Sequence, residues 1–82
     1  MTEREIENYC RTLVNRVFHY QNGLTYPHGT TKAIRPYLFC RGKNGHKGYL
    51  CCMVSFTDGY IGDYSYTIDE GLVLTFKKMK VY

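Results

Sequence analysis

Two turn dipeptides, Asn44-Gly45 and Asp58-Gly59, bracket the apolar segment Tyr49 to Thr57. Asn-Gly and Asp-Gly adopt the left-handed backbone of tight hairpin turns at little cost, so each one predicts a reversal between paired strands. Three consecutive strands follow: Ala33 to Arg41, Tyr49 to Thr57 and Tyr60 to Ile68. Strands joined by such short turns form an antiparallel meander. Pro36 cannot donate to a ladder, which points to an edge position or a bulge in the first strand, and Gly62 marks a bulge in the third.

A sheet of this size needs something to cover one face, and the N-terminal segment supplies it. Ile6, Tyr9, Cys10, Leu13, Val14, Val17 and Phe18 recur at three- and four-residue steps, placing them on one stripe of a helix. Thr2 and Glu5 have capping-box spacing, early glutamates suit the positive end of the helix dipole, and Asn22-Gly23 supplies a left-handed stop. The predicted helix runs from about Thr2 to Gln21. Leu24 to Lys32, with Pro27 and Gly29, reads as a loop.

Residues 69–80 carry two patterns. Leu72 to Phe76 has strand composition, whereas Ile68, Leu72, Phe76 and Met79 fall at helical spacing behind a capping Asp69. A fourth strand is the preferred reading and a helix the alternative. The expected fold is α+β, one domain over residues 1–82, with an amphipathic helix packed on a three- to four-stranded antiparallel meander. Eighty-two residues bound the chain to one core, and 44% hydrophobic content is too high for disorder.

The net charge of +4 is unevenly spread. No carboxylate falls between Glu7 and Asp58, while Arg11, Arg16, Lys32, Arg35, Arg41, Lys43 and Lys47 all do. Such a field favours an anionic partner: nucleic acid, a nucleotide or an acidic protein surface. Arg4, Asn8, Arg11 and Asn15 line up on the polar side of the helix, either as a phosphate-facing ridge or as a solvated face. Nine tyrosines without a tryptophan suit a contact surface as well as a core.

Other chemistry finds little footing. No apolar run reaches the roughly 18 residues of a membrane span, and the charged N-terminus is unlike an export signal, so a cytoplasmic, reducing setting is expected. Cys10, Cys40, Cys51 and Cys52 then read as thiols, lacking the spacing of a metal site, and no cofactor is expected. Catalysis would require a cysteine or serine oriented by His19, His28 or His46, which no spacing predicts. Gly29-Thr-Thr-Lys32 lacks the spacing of a phosphate loop.

Two binding features remain. The hairpin tip concentrates Arg41, Lys43, His46 and Lys47, which could grip phosphate oxygens or an acidic groove. On the first strand, alternation groups Arg35 with Tyr37, Phe39 and Arg41, either as a base-stacking platform or with both aromatics in the core. An ideal two-residue Asn44-Gly45 turn pairs Phe39 with Leu50 and Tyr37 with Cys52. That register leaves Tyr49, Cys51 and Met53 on the opposite face, and continuing through the second turn adds Tyr64 and Tyr66. If the helix covers Leu50, Val54 and Phe56, the tyrosine face is open to a partner or a second copy of the chain.

The expected function is therefore non-catalytic binding at an anionic site on nucleic acid or on a protein that handles it. Arg35, Arg41, Lys43 and Lys47 would supply charge and the tyrosines contact area. Small basic domains of this kind are common among viral and accessory proteins, so a viral or mobile-element inhibitor is part of that reading. The alternative is an oligomer that sequesters nucleotides between chains; an enzyme using Cys or His ranks third.

Overall fold

In a computed structural model the described residues are 1–19, 25, 26 and 29–81. The Asn22-Gly23 stop, His28 and part of the expected 24–32 loop lie outside them.

The capping box forms as the sequence implies. Thr2 Oγ1 accepts from Glu5 N–H at 3.2 Å, and the Glu5 carboxylate accepts from Thr2 N–H at 3.0 Å. Those bonds favour the charged carboxylate and hold the Glu5 pKa below its ordinary value. Helix α1 spans Glu3–Thr12, shorter than the expected 2–21. Asn15 adopts a left-handed backbone (φ 68°), and its N–H donates to Pro36 O at 2.8 Å. Asparagine tolerates that conformation, and the β-branched Val14 and Val17 favour extended chain over another helical turn. Phe18–His19 is consequently a strand, β1.

After the short strand β2 (Thr25–Tyr26), β3 (Gly29–Cys40), β4 (Tyr49–Phe56) and β5 (Ile61–Thr67) form the expected meander. Gly29 to Lys32 belongs to β3 and forms no phosphate loop. With a last strand β6 (Lys80–Val81), the sheet order is β5-β4-β3-β1-β6, and β2 pairs with β3 off this path. Strand β6 pairs antiparallel with β1.

Residues 70–77 form a helix, α2 (Glu70–Lys77), rather than the preferred fourth strand. Asp69 Oδ1 accepts from Leu72 N–H at 2.8 Å, satisfying one otherwise unpaired donor of the first turn. Helical spacing then buries Val73 and Phe76 together and leaves Leu74 in solvent.

Both helices lie on the same side of the sheet. Cys10 and Leu13 from the α1 end and Val73 and Phe76 from α2 join Ile34, Leu50, Cys52, Val54 and Phe56 in one buried cluster with Phe18, Ile68 and Met79. Each large side chain removed from water there contributes about 1.5–3 kcal/mol before the entropy of ordering is set against it. The cysteines are free thiols; Cys10, Cys51 and Cys52 are buried and Cys40 is half-buried.

Asn44 and Gly45 both have positive φ (55° and 79°), as a type I′ turn requires. Below that turn the arms of the hairpin pinch together. A Cβ on Gly48 would collide with Cys40 O and stand 2.8 Å from Gly42 N, while Gly48 O accepts from Ile68 N–H at 3.0 Å. Gly48→Ala must therefore push backbone against backbone, and a loss of about 1–3 kcal/mol is expected in chemical denaturation. Gly45→Ala serves as the comparison: it meets no atom within 4 Å and carries only the left-handed backbone penalty. A Gly48→Ala variant as stable as the parent chain would mean that the pinch is not tight.

Candidate binding surfaces

Both helices cover the Leu50, Val54 and Phe56 side, and no described element covers the opposite side of the meander. Strand β4 alternates accordingly, with Leu50, Cys52, Val54 and Phe56 inward and Tyr49 and Met53 exposed. Antiparallel register arranges this open face in rows across β3, β4 and β5: Arg35, Met53, Asp63; then Leu38, Cys51, Ser65; then Cys40, Tyr49, Thr67. Its apolar content is high for a surface, with Tyr37 39% exposed, Leu38 47%, Tyr49 45%, Met53 39% and Ile61 61%.

Phe39 pairs with Leu50 as expected, but Tyr37 does not pair with Cys52. A register shift between Pro36 and Leu38 makes Tyr37 the extra residue of a bulge, the bulge that proline's missing N–H invites. The slip reverses alternation along β3. Pro36 and Phe39 turn toward the helices, whereas Arg35, Tyr37 and Leu38 share the open face, so the Arg35, Tyr37, Phe39, Arg41 platform is not assembled. Tyr37 OH instead donates to both Asp63 oxygens at 2.7 Å, carrying its ring from β3 across β4 to β5. Donation to a carboxylate requires the neutral phenol, and the Tyr37 pKa is pushed up to about 12. A hydrogen bond with the Cys40 thiol similarly raises Tyr49.

Tyr64 and Tyr66 are not on this face. Phe56 N–H donates to Tyr60 O at 2.9 Å and Gly59 N–H to Phe56 O at 3.0 Å, closing a three-residue loop of Thr57, Asp58 and Gly59 (φ 92°) instead of the two-residue turn the sequence suggested. One extra loop residue moves every following side chain to the other side. Tyr64 therefore lies opposite Cys52 and Tyr66 opposite Leu50, on the helix-covered side, their rings 6.5 Å apart and Tyr64 edge-on to Phe56 at 6.1 Å. Gly62 pairs with Val54 without a bulge. The Tyr60 and Tyr64 rings occupy the space where its side chain would be.

The cationic residues gather at the hairpin end. Lys43, His46 and Lys47 are exposed on the tip, and Arg41 reaches Glu7 on α1, Nε to Oε2 3.5 Å. That contact closes one side of an open groove of about 790 Å³ lined by Glu3, Arg4, Glu7, Asn8, Arg11, Arg41 and Gly42. Positions 4, 8 and 11 share a helix face, so spacing made the ridge legible; nothing in the sequence tied it to Arg41. Arg11 is held over the Phe39 ring at 4.9 Å and Arg16 over Phe18 at 5.8 Å. Lys47 faces a different neighbourhood, a concavity of about 580 Å³ that includes Glu3, Glu7, Asp69 and Glu70.

The eight residues expected to bind thus fall in three places. Arg35 and Tyr49 share the open sheet face; Arg41, Lys43, His46 and Lys47 lie at the tip; Tyr64 and Tyr66 border the core. Among the described residues no group of three or more His, Cys, Asp or Glu is placed to hold a metal ion, and no helix is long and apolar enough to cross a membrane. Comparison with known protein families, curated proteins and solved structures finds no match, so the chain's own residues carry the functional argument.

Proposed function

We propose that the chain is a non-catalytic binding protein that holds the phosphate backbone of a nucleic acid in the groove between α1 and the hairpin tip. One observation carries this reading: Arg4 and Arg11 from the helix converge with Arg41, thirty residues further along the chain, on the same open groove. Guanidinium groups match phosphate oxygens in a fork geometry. The Phe39 ring supports Arg11 and the Glu7 carboxylate holds Arg41 in place. Lys43 extends the cationic surface at the tip. Occupying a nucleic acid in this way, the protein would act as an inhibitor of whatever else handles the same strand.

Anisotropy titration of labelled single-stranded DNA, single-stranded RNA and duplex DNA tests the proposal. With about four phosphate contacts to a single strand, affinity should fall about 50-fold between about 50 mM and about 200 mM salt. Arg11→Ala and Arg41→Ala should each weaken binding and flatten that salt dependence. No binding at low salt, or affinity indifferent to salt and to both arginines, would refute nucleic-acid binding and leave an acidic protein surface as the partner.

A nucleotide-binding reading has its own observation. Tyr49 with Arg41, Lys43, Cys40 and Gly42 lines a concavity of about 590 Å³, within the size range of small-ligand sites. A rise in melting temperature with nucleoside triphosphates, but not with oligonucleotides, would favour it.

A further inference from the structure

We propose that the open face of the sheet is the interface of a two-fold symmetric homodimer. The face combines the side chains that dominate stable interfaces, Tyr37, Tyr49, Met53, Leu38 and an arginine, with little competing charge. Its two facing charges choose the occupant. Arg35 and Asp63 flank Met53 in a single row, one strand away on either side, about 5 Å each. Arg35 has no carboxylate partner among the described residues. Among the described residues Asp63 accepts one bond at each oxygen, from Tyr37, and retains lone pairs for a second donor.

Stacking a second copy face to face, with the two-fold axis running along β4, exchanges left and right across the sheet. Arg35 of each copy then lies over Asp63 of the other, and Met53 meets Met53. An axis perpendicular to the strands would instead set Arg35 against Arg35 and Asp63 against Asp63. Charge therefore selects the first arrangement, an aligned sandwich with the strands of the two sheets crossing at about 30°. The three strands make a footprint of about 14 by 26 Å, roughly 700 Å² over both copies and below the range of stable interfaces, so the dimer is a weak one that dissociates on dilution, with a Kd on the order of micromolar or weaker. The same axis brings both hairpin tips to one end of the assembly, where two arginine grooves could engage one nucleic acid together.

The dimer does not depend on any anionic partner, and its test is made without one. Sedimentation equilibrium across rising protein concentration should show a reversible monomer–dimer equilibrium for the parent chain. Arg35→Asp alone and Asp63→Arg alone should each weaken association by at least about tenfold, since each doubles a like-charge contact. The double exchange should restore the dimer. An equimolar mixture of the two single variants should also restore it, as a heterodimer, because both cross-contacts become attractive. Tyr37→Phe, which removes the same hydrogen bond from Asp63 without changing charge, should still dimerise, separating repulsion from loss of fold. A parent chain that stays monomeric at all concentrations overturns the proposal and leaves the face to a different protein. Association that ignores the single exchanges, or a mixture that fails to recover it, overturns this interface.

Discussion

Phe76→Ala is expected to remove about 3–5 kcal/mol of unfolding free energy, a large share of the roughly 4–12 kcal/mol expected for 82 residues. Phe76 is 2% exposed and meets the Phe18 ring edge-on at 5.0 Å, so it joins α2 to β1 and through it to the meander. Phe18→Ala should cost a similar amount, and a double-mutant cycle should recover about 0.5–1.5 kcal/mol of coupling. Neighbouring positions distinguish helix from strand. A strand through residues 72–76 would put Leu74 beside Phe76, whereas in α2 Val73 is fully buried and Leu74 is 53% exposed. Val73→Ala should therefore destabilise clearly and Leu74→Ala hardly at all, by urea denaturation followed with circular dichroism. The reverse order would mean that residues 70–77 are not helical.

That same segment shows what could be read from the sequence and what could not. Apolar residues at 68, 72, 76 and 79 and a capping Asp69 were legible as a helix. The β-branched and aromatic composition of 72–76 pulled toward a strand. Tertiary packing decided, because only the helix brings Val73 and Phe76 together onto the Leu50 and Val54 side. For α1 the capping box was readable to the atom, but the exit was not. The apolar stripe continues to Phe18 as though the helix did, yet Phe18 reaches the core from a strand after Asn15 turns the chain. Periodicity reports which residues are buried, and a helix followed by a tight turn can bury the same set.

On the candidate site, single-residue slips did most of the damage. Residue types predicted a hairpin at Asn44-Gly45 and the pairing of Phe39 with Leu50, and both are present. The Tyr37 bulge and the third loop residue before Tyr60 each shifted alternation by one, moving Tyr37 onto the open face and Tyr64 and Tyr66 off it. Pro36 announced a bulge without saying which residue would be extruded. Asp58-Gly59 announced a turn without giving its length. The α1 groove depends on a contact between Glu7 and Arg41, and a contact across thirty-four positions leaves no trace in local spacing.

Raising the pH should destabilise the protein before its tyrosines account for the loss. Cys10 and Cys52 are fully buried, and burial pushes their thiols up to about 11 and about 12. In the unfolded chain both titrate near their ordinary value of about 9. The folded state thus keeps two protons that the unfolded state releases. Their stabilising contribution is complete below about pH 8 and is lost progressively as pH rises from about 9 toward about 12. Tyr37, raised by its bond to Asp63, acts in the same direction at the upper end of that window. Each pH unit is worth about 1.4 kcal/mol per thiol, but local opening lets water reach a nascent thiolate, so the realised loss by about pH 10.5 is on the order of 3 kcal/mol. Urea denaturation under reducing conditions at about pH 8 and about pH 10.5 measures it. The Cys10→Ala, Cys52→Ala double variant should start from lower stability, having lost packing, yet fall less steeply with pH. Slope, not intercept, carries the argument: a parent chain equally stable at both pH values, or a variant with an unchanged slope, would mean that these thiols do not couple ionisation to folding.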